Sequence, residues 1–258
     1  MAELIAGSEE NFVQMMNEKA KTLGLEHTHF MNAHGIDEDN HYSSAKDIAI
    51  MSRELVTKHP NILKYTSIWM DSIRGGTFEL SNTNKLLKTY SGITGLKTGS
   101  TSKALFNLTA TATRDNMSLI AVVLTAPSGD IRGNEITQLL NYGFSNYQVK
   151  TYAKKGDTIS TLNINKAINS KVKIVFENDV TQILEKGTSI EVSQEVILNE
   201  NICAPLKAND AVGKVIFKDK DGTEIFQVNA IVTADIPRSN LIDYLRHTFN
   251  SYLMVNFK

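Results

Sequence analysis

The chain of 258 residues is long enough for one large domain or two modest ones, and 41% apolar with 21% charged residues is a folded rather than a disordered composition. A formal net charge of −1 supplies no basic field for nucleic acid. Cys203 is the single cysteine, which excludes an intrachain disulfide and a multi-thiolate metal site, and no apolar run reaches the length of a membrane span.

No basic stretch followed by an apolar one opens the chain, so no signal peptide is read there. Met1 leads straight into Ala2-Glu3-Leu4-Ile5-Ala6-Gly7, which reads as the end of a helix already under way; the expectation is a chain cut on its N-terminal side. Residues 9–23 place Phe12, Met15, Met16, Lys19 and Leu23 near helical spacing, with Gly24 as the stop. A loop holding Asn32, His34 and Gly35 follows, and a second helix begins at Ser43-Ser44. There Ser44 and Asp47 have capping-box spacing, and Pro60 bounds the helix. Short β-prone pieces and Gly75-Gly76 suggest strands and turns between 64 and 90. Residues 105–113 and 117–126 form a hairpin joined at Arg114-Asp115-Asn116, and a helix runs from 132 to 147 with Ile136, Leu139, Leu140 and Phe144 on one face.

After Lys150 the pattern switches to strict alternation: Val172-Ile174-Phe176, Val215-Phe217, and Phe226-Val228-Ala230-Val232, with Asp221-Gly222 as a hairpin turn between the last two. These residues read as a separate all-β domain. From Ser239 onward the pattern is helical again, with Leu241, Leu245, Phe249, Tyr252 and Leu253 on one side and Asp243, Arg246 and Asn250 on the other. Such a helix packs on the β domain or lies in a lipid interface.

The sharpest chemical motif is Lys97-Thr98-Gly99, followed by Ser100 and Thr101. Alone, the tripeptide equally describes an exposed lysine beside a tight turn. Its setting, after Gly92 and Gly95 and before a hairpin, places a cation, a hydroxyl and a bare backbone on an edge strand, which suits a peptide-like acid. His27, His29, His34 and His41 crowd one stretch, but no carboxylate or cysteine completes a metal pattern and no metal is expected. Cys203, near Pro205, reads as a small buried side chain.

SNTNKLL (81–87) with Tyr90–Ser102, GLEHTHFMNAHGI (24–36), HYSSAKDIA (41–49), Arg132 and LLNYGF (139–144) together resemble the D-alanyl-D-alanine carboxypeptidases among the low-molecular-mass penicillin-binding proteins. Ala204-Pro205-Leu206-Lys207 and Val212-Gly213 resemble that family's accessory β domain, and the tail its amphipathic membrane anchor. The resemblance implies an α/β chain: a partial serine-transpeptidase (β-lactamase-like) domain over 1–148, an all-β domain over 149–237, and an anchor helix over 238–258. It implies a serine peptidase that trims D-Ala-D-Ala stem peptides of peptidoglycan by acyl-enzyme chemistry, influences cell shape, is acylated by β-lactams and needs no cofactor. Its place would be the extracytoplasmic face of the bacterial membrane, held there through the C-terminal helix, with any export signal upstream of Met1.

Three motifs meet in that family's site, S-x-x-K, S-x-N and K-T-G. Ser-x-Asn is absent here. Ser43/Lys46, Ser100/Lys103 and Ser170/Lys173 satisfy S-x-x-K, yet none stands where the resemblance requires it, so no catalytic nucleophile or base is assigned. By resemblance Lys97, Thr98, Gly99, Ser100, Thr101 and Arg132 hold the substrate. Lys97, Thr98 and Arg132 would contact its terminal carboxylate, and the Ser100 N–H would be an oxyanion donor. Two rival readings stand beside this one: a β-lactamase, against which the β domain and anchor argue, and a non-catalytic cell-wall-binding or scaffold protein of the same fold.

Overall fold

The computed structural model describes residues 1–167, 171–240, 242, 243 and 245. The chain divides into two compact units, Met1–Tyr147 and the residues from Gln148 onward.

In the first unit, α1 (Ala2–Ala6) ends at Gly7, whose φ of 81° is the left-handed conformation that closes a helix, and Ser8 caps α2 (Glu9–Thr22) through its side chain to the Asn11 N–H. At the far end of α2 the Leu25 N–H reaches back to the Ala20 carbonyl around a left-handed Gly24, and Ala20 and Leu25 are both buried. The glycine stop anticipated at Gly24 is therefore a full C-terminal cap. Ser44 caps α3 (Ala45–Lys58), accepting from the Asp47 N–H at 3.2 Å. The Asp47 carboxylate itself turns back to the preceding loop and accepts from the Thr28 hydroxyl (2.7 Å) and the His27 N–H (2.8 Å). The Thr28 bond chiefly, with His27 adding to it and burial opposing, holds the Asp47 carboxyl below the usual aspartate range.

A short α4 (Leu63–Thr66), the exposed hairpin β1 (Met70–Ile73) and β2 (Phe78–Ser81), and one turn of helix, α5 (Leu86–Thr89), lead to the central sheet. That sheet is antiparallel, in the order β3 (Ile93–Thr101), β4 (Leu105–Arg114), β5 (Met117–Ala126). Asp115 and Asn116, both at positive φ, make the β4–β5 turn, the conformation a two-residue hairpin demands. Alternation along β4 separates two faces. Leu108, Ala110 and Ala112 meet Ile136 and Leu140 of α6 (Gly129–Asn146), the alanines leaving room for the helix, while Thr109 on the other face hydrogen-bonds Ser52 of α3 at 2.8 Å.

Helix α6 starts three residues before the pattern of apolar residues suggests. Ser128 accepts from the Ile131 N–H, and this cap outweighs the low helix propensity of Gly129. Its buried stripe is Arg132, Ile136, Leu140 and Gly143; Leu139, expected inward, lies at the outer edge of that stripe and is exposed.

The second unit contains β6 (Tyr147–Ala153) paired with β9 (Val180–Glu185), and a five-stranded sheet. Its order is β10 (Ser193–Leu198), β11 (Ala211–Lys218), β12 (Glu224–Val232), β8 (Lys171–Phe176), β7 (Thr158–Asn163). The expected alternation holds: Ile174, Phe176, Val215, Phe217, Val228, Ala230 and Val232 form one buried cluster with Ile164, Val180 and Val212. Ile216 and Ile231, on the opposite face, are buried as well, so the central strands are covered on both sides. Asp221-Gly222 turns β11 into β12, with the Asp219 carboxylate accepting from the Asp221 and Thr223 N–H groups. Cys203 is exposed rather than buried. In the bridge to Asn165, the neighbouring Ala204 takes the inward position, and the alternation of an extended segment leaves Cys203 facing out.

Of the proposed 238–258 helix, Leu241, Arg246, Phe249, Asn250, Tyr252 and Leu253 lie outside the described residues, as does Ser170. Among the described residues no helix is long and apolar enough to cross a membrane.

Candidate active site

Strand β3 is an edge strand whose first half is covered and whose second half is not. The Thr66 hydroxyl of α4 donates to the Thr94 carbonyl at 2.8 Å. Gly95, at φ 132°, passes so close to Thr66 that a Cβ there would sit 2.6 Å from the threonine side chain. Beyond this crossing, Lys97 to Ser100 border an open cleft of about 630 Å³. Gly99 has no atom within 4 Å of where a Cβ would project, so the strand backbone is accessible at that point.

Opposite β3 stands the first turn of α6. Gly129, Asp130 and Arg132 line the cleft with Lys97, Thr98, Gly99 and Ser100, and Thr83, Lys85 and Phe106 complete it. Five of the six residues picked out by sequence thus line one cleft. Thr101 does not: its hydroxyl donates to the Asp37 carboxylate at 2.6 Å and accepts from the Ala104 N–H, which ties the end of β3 to the loop after α2.

Lys97, Lys85 and Arg132 face a single carboxylate, Asp130, and the N-terminal end of α6 adds partial positive charge. Asp130 is paired with Lys85 at 3.3 Å, both highly exposed, a contact worth little in water. Arg132 differs. It is only 8% exposed, and its Nη1 and Nη2 reach no carboxylate, only the carbonyls of Asn107 (3.3 Å) and Thr83 (3.4 Å). Its Nε and the amide nitrogen of the neighbouring Asn84 are buried with no hydrogen-bond partner among the described residues. Burial pulls the guanidinium pKa down from its usual value. A buried charge with no ion-pair partner in contact is costly, and it is a strong receptor for an anion that completes its shell.

The Lys97 ammonium donates to the Thr98 carbonyl, and the Thr98 hydroxyl lies 2.5 Å from that of Thr83. Neither Thr83 nor Lys85 is singled out by sequence alone, although both sit in the SNTNKLL stretch. The signal available there was a polar residue flanked by two asparagines, the composition of a side-chain-braced turn.

The S-x-x-K serines lie elsewhere. Ser43 pairs its hydroxyl with Thr28 at 2.9 Å, away from the cleft. Ser100 lines the cleft, but its Lys103 partner turns to Asp37 and Asp39. The histidine stretch is occupied by loop backbone: His29 Nδ1 lies 2.8 Å from the Asn40 carbonyl, His41 Nδ1 accepts from the Met31 N–H, and His34 Nδ1 from the Ile36 N–H.

Residues 1–128 match the family model of D-alanyl-D-alanine carboxypeptidase, and residues 147–238 match that of the penicillin-binding protein 5 C-terminal domain. D-alanyl-D-alanine carboxypeptidase DacF of Bacillus subtilis is 36% identical over 256 residues, covering 98% of this chain and 65% of the relative. DacA of Escherichia coli is 32% identical over 260 residues, covering 98% of this chain and 63% of the relative. The chain thus spans just under two thirds of the length of these curated relatives. Among solved structures, penicillin-binding protein 5 of Haemophilus influenzae superposes with a TM-score of 0.61 at 34% identity, over 92% of this chain and 69% of that one. A peptidoglycan synthesis regulatory factor, PBP3, of Streptococcus pneumoniae superposes with a TM-score of 0.70 at 30% identity, over 91% and 72%.

Proposed function

This chain belongs to the D-alanyl-D-alanine carboxypeptidase family of low-molecular-mass penicillin-binding proteins, and we propose that its cleft holds the terminal carboxylate of a peptidoglycan stem peptide ending in D-Ala-D-Ala. The observation that carries this reading is Arg132, a buried cation that makes no ion pair among the described residues, lining the same cleft as Lys97 and Thr98. In this reading the peptide lies extended along the open half of β3, so that strand backbone and ligand backbone pair while the guanidinium and ammonium take the carboxylate. The backbone N–H of Ser100 would serve as one donor to the oxyanion of the tetrahedral intermediate.

The parent reaction is acyl transfer. A serine attacks the D-Ala-D-Ala amide, D-alanine leaves, and water releases the shortened peptide; a β-lactam would acylate the same serine. Within this chain we assign the substrate-holding part of that chemistry and no nucleophile. Ser-x-Asn is absent from the sequence, and the Ser43 hydroxyl is engaged with Thr28 rather than aimed at the cleft. Incubation with penicillin followed by intact-mass measurement is expected to show the unmodified mass. A stable adduct on any serine, Ser43 above all, would make the chain an acylating enzyme and overturn this division; a chain that binds the peptide without an adduct acts as a cell-wall-binding protein of this fold.

The site of action we propose is the extracytoplasmic face of the membrane, with residues 238–258 lying in the lipid interface. The support is the apolar side formed in sequence by Leu241, Leu245, Phe249, Tyr252 and Leu253. Leu245→Asp with Phe249→Asp is expected to abolish co-sedimentation with anionic liposomes; unchanged sedimentation returns the segment to packing on protein.

A further inference from the structure

The turn that presents Thr83 is braced on both sides. Asn82 Oδ1 accepts from the Asn84 N–H (2.9 Å), and Asn84 Oδ1 accepts from the Leu86 N–H (3.2 Å). Asn82 is itself fastened to the segment before β1, its N–H to the Trp69 carbonyl (2.8 Å) and its amide nitrogen to the Ile68 carbonyl (3.1 Å). Asn84 is 2% exposed. Two Asx turns in series hold the backbone where a plain loop would wander. The residue they hold is exposed, yet its two polar ends meet two of the three groups proposed to bind carboxylate. The Thr83 carbonyl accepts from Arg132 Nη2, and the Thr83 hydroxyl touches that of Thr98.

A hydroxyl has one proton and two lone pairs. If Thr98 donates to Thr83, it offers the cleft only lone pairs, which repel a carboxylate. If Thr83 donates to Thr98, the Thr98 proton is released toward the cleft. An anion beside Lys97 and Arg132 selects the second arrangement, and each bond in such a chain polarises the next. We propose that Thr83 is a positioning residue for carboxylate recognition: it makes Thr98 a one-way donor to the ligand while its carbonyl steadies Arg132. This deepens the carboxylate-binding reading and rests on it.

The test is binding, by NMR titration of the 258-residue chain with an N-acetylated peptide ending in D-Ala-D-Ala and with its C-terminal amide. Thr83→Val keeps the shape and the backbone carbonyl but removes the hydroxyl. It is expected to weaken free-acid binding by about two- to tenfold, to leave the amide unchanged, and to be rescued by Thr83→Ser. Wild-type free-acid affinity in Thr83→Val, or a Thr83→Ser variant as weak as the valine, overturns the inference, the second because a retained hydroxyl that does not restore binding is not what carries it. Lys97→Ala separates the two levels. If it weakens free-acid binding while Thr83→Val does not, only the Thr83 role falls; if Lys97→Ala has no effect, the carboxylate reading fails and takes the inference with it.

Discussion

Arg132→Ala is expected to weaken binding of a free-acid D-Ala-D-Ala peptide by about ten- to over a hundredfold, because hydrogen bonds to a charged group are worth about 1.5–3 kcal/mol. The guanidinium is the one cation of the cleft already removed from water, so its pairing with a carboxylate is little screened, whereas Lys97 is exposed. Truncation also leaves the Thr83 and Asn107 carbonyls without their donor, so a loss of affinity alone would not separate recognition from local collapse. The amidated peptide does so: lacking the charge, it is expected to bind both proteins with similar weakness. Equal penalties on acid and amide would remove Arg132 from the carboxylate site. Arg132→Lys is expected to recover only part of the loss, since an ammonium cannot span two carbonyls and a carboxylate in one plane.

Phe217→Ala is expected to lower the unfolding free energy of the second unit by about 3–5 kcal/mol. Phe217 is 0% exposed on the central strand β11, its ring 6.0 Å from Phe176 and 6.4 Å from Tyr152. Its place is walled by paired strands on either side, β10 and β12, which cannot close in without breaking their ladders. A cavity must therefore remain, and the cost should sit at the upper part of the range rather than be relieved by collapse. Urea unfolding followed by the near-ultraviolet signal of the second unit measures it; a shift under about 1 kcal/mol, the scale of volume-conserving swaps, would mean that this core repacks freely. The residues proposed to bind ligand in the first unit should be untouched by the change, which makes Phe217→Ala a control for Arg132→Ala as well.

What the sequence displays and what it conceals follow from distance along the chain. The β4–β5 hairpin was legible because its turn and both strands are contiguous, and the alternation ending in Val215-Phe217 because side-chain direction follows directly from strand geometry. Lys97-Thr98-Gly99 was legible as a motif, and its family resemblance pointed to Arg132, 35 positions from Lys97 by their residue numbers. Thr83 was not. Its contacts, Thr98 and Arg132, lie 15 and 49 positions away, and its contact to Arg132 is made by backbone, which carries no side-chain signature. The start of α6 was hidden by a glycine that a serine cap overrules, and Thr101 was drawn out of the site by an aspartate 64 positions earlier, which no local pattern records. Cys203 was misplaced because apolar neighbours suggested burial, while the phase of the extended segment gave the inward position to Ala204.

The bare half of β3 has a consequence beyond recognition. An unpaired strand edge accepts any extended backbone of matching length, including that of a misfolded neighbour, and proteins commonly guard such edges with lysine. Lys97 sits on the unguarded stretch, and Lys103 follows just past its end. The charge proposed to draw in an anionic peptide end is also the charge that keeps like edges from zipping together. On the proposed reading that lysine serves two ends, ligand capture and solubility, and a protein that abandoned its ligand would still have reason to keep it.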